Sequence, residues 1–172
     1  MTDTLPSLGT TLLMDDDYPT CADTYATFRT YHETDRPETV STTLGLEPSS
    51  RQQVGMPYEK RGGQETYRLS GWFLCSEKHV QSYDAIKHLD WLLDQLKPRQ
   101  SALDTLRRQG WRMDIACLWD SQEGHGGPTL PPALLKRLGD LGVELWFDVY
   151  FVGATFALRR MKKSDGLDAK AF

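Results

Sequence analysis

Residues 111–120 alternate without a break: Trp111, Met113, Ile115, Cys117 and Trp119 fall on one side of an extended chain, and Arg112, Asp114, Ala116, Leu118 and Asp120 on the other. Successive side chains of a strand point to opposite faces, so this pattern demands a strand with one side sealed against a core. Other segments fit the same sheet. In residues 24–32, Ala26, Phe28 and Thr30 alternate with Tyr25, Thr27, Arg29 and Tyr31, all types suited to a pleated surface. A further strand is predicted at about residues 66–76. Residues 143–152 are apolar on both faces except at Glu144 and Asp148, which predicts a central strand.

Helical periods fill the gaps between these strands. Asp35, Arg36, Pro37 and Glu38 set a helix start, because Asp accepts from orphan N–H groups and Pro is tolerated in a first turn; Gly45 ends it. Residues 47–65, with Pro48, Ser49, Ser50, Gly55, Pro57, Gly62 and Gly63, are expected to be loop. From Ser82, Ile86, Leu89, Leu93 and Leu96 recur at three and four residues, and Pro98 breaks the run. A second helix carries Leu103 and Leu106 to a stop at Gly110, and a third runs from Pro131 with Leu134, Leu135, Leu138 and Leu141 inward. The order predicts an α+β fold, a four-stranded, mostly antiparallel sheet with helices packed on one face. Four strands cannot close a barrel, so the other face is either solvated or covered by a partner.

With 172 residues, 39% of them hydrophobic, the chain can bury roughly 70% of its unfolded surface as one domain. The expected division is an acidic N-terminal arm (1–22), a single α+β domain (23–152) and a basic C-terminal tail (153–172) carrying Arg159, Arg160, Lys162 and Lys163. Residues 1–50 hold nine acids against Arg29 and Arg36, whereas the rest of the chain is net positive by three. The whole is formally −4 with a pI near 5.5, which opposes a grip on nucleic acid. No membrane segment and no signal peptide are expected, since no apolar window approaches 18 residues and Asp3, Asp15, Asp16 and Asp17 stand near the start. Cys21, Cys75 and Cys117 are too few and too widely spaced for a disulfide framework. A cytoplasmic protein with free thiols is the expectation.

Candidate binding residues come from the outward side of the strands: Tyr25, Arg29, Tyr31, Arg112, Asp114, Trp146, Asp148 and Tyr150. Aromatic rings beside Arg and Asp are what a recognition surface uses, because rings supply area at low entropy cost and charges supply orientation. The same residues also fit ordinary cross-strand pairing, Arg29 with Asp148 or Arg112 with Asp114. No metal is expected: the only converging set, Cys75, Glu77 and His79, needs the second strand to run past its natural end, and the four histidines have no HxH or HxxxH spacing. His88 reads as a hydrogen-bonded, partly buried histidine and Cys117 as a core thiol. The loop Gly124, His125, Gly126, Gly127 and Pro128 lacks the lysine of a phosphate-binding loop and reads as a connector. No cofactor is expected.

The segments Tyr25-Ala26-Thr27-Phe28-Arg29, Thr43-Leu44-Gly45-Leu46-Glu47-Pro48, Gly71-Trp72, the His88, Leu92 and Leu93 helix with Leu96-Lys97-Pro98, and Phe147-Asp148-Val149-Tyr150 resemble the bacterial domain of unknown function 4279 (DUF4279) over about residues 23–152. The resemblance implies the fold and carries over no catalytic residue. The expected function is a non-catalytic cytoplasmic protein-binding domain, by analogy with small bacterial proteins an immunity-type inhibitor of a toxin. The competing expectation is a small enzyme or small-ligand-binding protein using Arg29 as an anion clamp and Asp148 as a base.

Overall fold

The strand that carries the sheet is β1 (Cys21–His32), which pairs antiparallel with β5 (Ser70–Cys75) on one side and with β6 (Arg112–Ser121) on the other. These assignments come from a computed structural model, which describes residues 15–152. Beyond β5 lies the short β2 (Ser50–Gln52), antiparallel; beyond β6 lies β7 (Glu144–Phe151), parallel to it. The sheet is therefore mixed and has five strands in the order β2-β5-β1-β6-β7, where four mostly antiparallel strands were expected. A separate two-stranded sheet joins β3 (Pro57–Lys60) to β4 (Gly63–Thr66).

Two expectations fail for identifiable reasons. Residues 47–65 are not loop: backbone bonds from Gly55 N–H to the Tyr67 carbonyl (2.8 Å) and from Tyr67 N–H to the Met56 carbonyl (3.0 Å) link the two pairings into one long ribbon. The ribbon is held by Tyr58 stacked on Tyr67 (4.5 Å) and by Glu65, which accepts from Tyr58 and Lys60 (2.8 Å each). Both faces meet water, so no apolar alternation marks it. The strand predicted from Thr66 accordingly begins only at Ser70. Nor is β7 central: the chain returns from helix α4 (Pro132–Leu141) parallel to β6 and stops at the edge. An apolar run of the kind that buried parallel strands carry is thus left with Val149, Tyr150 and Phe151 at 59, 52 and 68% exposure.

The four α-helices of the described residues, α1 (Glu38–Leu44), α2 (Ala85–Leu96), α3 (Gln100–Arg108) and α4, contribute buried residues to one core. From α2 come Leu89, Leu92, Leu93 and Leu96, which meet the inward side of the sheet at Phe28, Trp72, Ile115, Cys117 and Trp119. The Asp84 carboxylate caps α2 by accepting from Ile86 N–H (2.9 Å), satisfying one of the helix's orphan donors. The α2 run ends at Leu96, just before Pro98 as expected, and a short 3-10 turn (Lys97–Arg99) leads on into α3. Gly45 and Gly110 stop α1 and follow α3 at φ 64° and 96°, values open to glycine without steric cost. Arg137 of α4 binds Asp90 and Asp94 of α2, fixing the two helices side by side.

Cys21, Cys75 and Cys117 are all free, and burial pushes the Cys21 and Cys117 thiols up to about 12. Thiols this reluctant to ionise are poor nucleophiles. The melting midpoint of freshly purified protein is expected to be the same with and without reductant. A drop of several degrees on adding reductant would reveal a disulfide this structure does not contain.

Candidate functional site: the open face of the sheet

Every second residue of the strands points away from the helices, and among the described residues no helix lies over this side. Register then decides which side chains meet. Arg29 stands directly opposite Asp114 in the antiparallel β1–β6 pairing. Its Nε and Nη2 donate to the two carboxylate oxygens, both at 2.7 Å, a bidentate fit that lysine could not make. The guanidinium carbon lies 4.9 Å from the Trp146 ring centre and 5.7 Å from that of Tyr31, so the cation is flanked by aromatic faces. Tyr31 in turn meets the Phe73 ring edge-on at 5.5 Å. The result is a band of ring, cation and carboxylate running across four strands.

The expected Arg29–Asp148 and Arg112–Asp114 pairings are not the ones formed. Asp148 is opposite Leu118, four residues along β6 from Asp114, or about 13 Å at the rise of a strand. Arg112 is opposite Tyr31 and exposed, beside a shallow hollow of about 350 Å³ lined by His32, Glu33, Thr34 and Gly110. A second hollow, about 210 Å³, lies on the helix side between Leu93, Lys97 and Arg137. Neither opens beneath Arg29. Of the eight residues singled out in the sequence, four (Arg29, Tyr31, Asp114, Trp146) meet in the central band. Tyr25, Asp148 and Tyr150 occupy the opposite end from Arg112, where the Tyr150 hydroxyl donates to Asp148 (3.1 Å). Sequence reasoning missed Phe73, whose strand was placed but not phased, and did not weigh Asp23 or Asp120, although both carry the outward phase of their strands.

Beneath the sheet, a serine and a histidine lie in the geometry of a nucleophile and its base, but both are sealed. Ser76 Oγ accepts from Ala26 N–H (2.9 Å) and donates to His88 Nδ1 (2.7 Å), while His88 Nε2–H donates to the Ser82 carbonyl (2.9 Å). Ser76 is wholly buried and His88 is 1% exposed. This pair ties the end of β5 to α2. Desolvation holds the His88 pKa below its ordinary 6.5, so the folded protein keeps the ring neutral where the unfolded chain would protonate it. Its contribution is therefore complete above pH 6.5 and declines as pH falls from there toward the lower folded value. Stability should fall between pH 7.5 and 5.5, and the slope should shrink in His88→Gln; an unchanged slope would contradict this. Asp90 and Asp120, whose values burial raises, act in the opposite sense and at lower pH, nearer the carboxylate range.

Cys75, Glu77 and His79 do not converge, because β5 ends at Cys75 and His79 turns away to stack on Trp91 (4.5 Å). Among the described residues no group of histidine, cysteine and carboxylate side chains is arranged to hold a metal ion, and no helix is long and apolar enough to cross a membrane. The N-terminal arm is described from residue 15: Tyr18 meets Trp119 edge-on (5.3 Å) and donates to the Gly127 carbonyl (2.9 Å). Its first 14 residues and the basic tail from 153 lie outside the described residues.

Together these features define a two-layer α+β domain, helices on one side of the sheet, that leaves the other sheet face with aromatic and charged residues outward. The chain belongs to the family described as Domain of unknown function (DUF4279), whose model matches residues 22–152, from the first residues of β1 to just past β7. No curated protein and no solved structure matches it.

Proposed function

We propose that this domain is a non-catalytic, cytoplasmic bacterial protein that binds another protein through the open face of its sheet, with immunity-type inhibition of a toxin as the setting. The observation that carries the reading is the Arg29 guanidinium, held bidentately by Asp114 and flanked by Trp146 and Tyr31, with neither of the two hollows described above opening beneath it. An enzyme needs concave ground where a substrate is desolvated, whereas protein recognition uses flat patches centred on Arg and aromatic anchors. Trp146 is 40% exposed and Tyr150 52%, so ring surface is available to a partner. Free thiols suit a reducing compartment.

The test is affinity capture from the native host with wild type, Arg29→Ala and Trp146→Ala, followed by reconstitution with the purified partner. The reading expects one partner recovered by wild type and lost from both variants. Equal recovery by all three acquits the face, and a co-purifying metabolite in place of a protein favours the small-ligand alternative built on Arg29 and Asp148.

A further inference from the structure

Toward the end of the open face away from Arg112, three carboxylates gather. The bulge between Cys21 and Asp23 brings Asp23 into register opposite Asp120, two like charges directly across a strand pair. Asp148 reaches them from β7, where its neighbour Tyr150 is the residue opposite Asp120. The charged groups that act on Asp120 among the described residues are Asp23 and Asp148, both acidic; those on Tyr25 include Glu77, Asp23 and Asp120. A second observation makes this more than a charged surface. Asp120 is only 9% exposed, yet its carboxylate meets no hydrogen-bond donor among the described residues. Burial and the neighbouring carboxylates raise its pKa, a cost of charge that an incoming cation would offset. Repulsion across β1 and β6 adds to that cost.

We infer that the notch formed by Asp23, Asp120 and Asp148, walled by the rings of Tyr25 and Tyr150, receives the guanidinium or ammonium of a basic side chain that a partner protein presents. Carboxylates would accept the cation's N–H groups while the ring faces cover its stem. An organic cation suits the site better than a metal ion, because these oxygens do not converge in a coordinating group. The inference rests on the open-face reading and specifies the partner's chemistry: the notch takes a protruding Lys or Arg, while the Arg29 band offers a cation and rings.

The test uses the full chain, labelled with ¹⁵N, and n-butylguanidinium as the probe. Saturable amide shifts are expected at residues 23–25, 118–121 and 148–150, with affinity about tenfold weaker in Asp120→Asn. The same variant should melt about 2–4 °C higher, since the asparagine relieves the repulsion; a merely structural aspartate would give a lower midpoint. Shifts scattered over the surface, an unchanged affinity in Asp120→Asn, or a saturable response to Ca²⁺ where n-butylguanidinium gives none would each overturn the notch. Replacing Arg159, Arg160, Lys162 and Lys163 together by glutamine should leave the probe's affinity unchanged. A several-fold gain would mean that the chain's own basic tail fills the notch, which overturns the assignment to a partner. If Arg29→Ala loses the captured partner while Asp120→Asn keeps it, the notch proposal fails and the open-face reading stands.

Discussion

Truncating Leu89 to alanine is expected to lower the unfolding free energy by about 2–5 kcal/mol, and Leu93→Ala by a similar amount. Both side chains are at most 1% exposed and lie on the face of α2 that meets β1. The loss combines the transfer of the deleted methyl groups with the cavity left in a core where Phe28 and Trp72 already meet edge-on at 6.3 Å. Leu135, expected inward from the sequence but found on the outer side of α4 at 50% exposure, is the internal control, and its alanine variant should stay within about 0.5 kcal/mol of wild type. Denaturant midpoints with unchanged slopes check all three. Unchanged midpoints for Leu89→Ala and Leu93→Ala would remove this assignment of the core-facing side.

The inward and outward phases of β1 and β6 were legible because each strand has one face in the core and one in water; Ala26, Phe28, Ile115 and Trp119 are buried as the alternation requires. The same signal failed where its cause was missing. The ribbon through β3 and β4 has no buried face, so Tyr58, Glu65 and Tyr67 stabilise each other without leaving a period in the sequence. Strand β7 carries the apolar composition of a buried strand but sits at the edge, and composition does not encode which neighbour a strand finds. Pairing was beyond reach for the same reason. Arg29, Asp114 and Asp148 were all placed on the open face, but choosing Asp114 requires the register of β1 against β6. Nothing in the sequence links Asp23 to Asp120, and only that register sets them face to face.

Arg29→Ala and Trp146→Ala should separate stability from recognition. Arg29 and Asp114 are each about a quarter exposed, so losing the guanidinium leaves Asp114 partly hydrated and should cost about 1–2 kcal/mol of stability. Trp146, at an exposed edge, should cost no more than that. At the centre of an interface the same substitutions should each remove about 2 kcal/mol or more of binding, a weakening of about 30-fold or greater. A structural ion pair would show the stability loss alone.

The most direct measurement is therefore titration calorimetry of the reconstituted partner with wild type, Arg29→Ala and Trp146→Ala, beside Lys136→Ala on the helix side, where the lysine bonds Asp140 of its own helix. The open-face account predicts full affinity for Lys136→Ala and a loss of about 30-fold or more for each of the other two, all four proteins remaining folded by circular dichroism. Wild-type affinity in Arg29→Ala and Trp146→Ala, or a loss confined to Lys136→Ala, would contradict it.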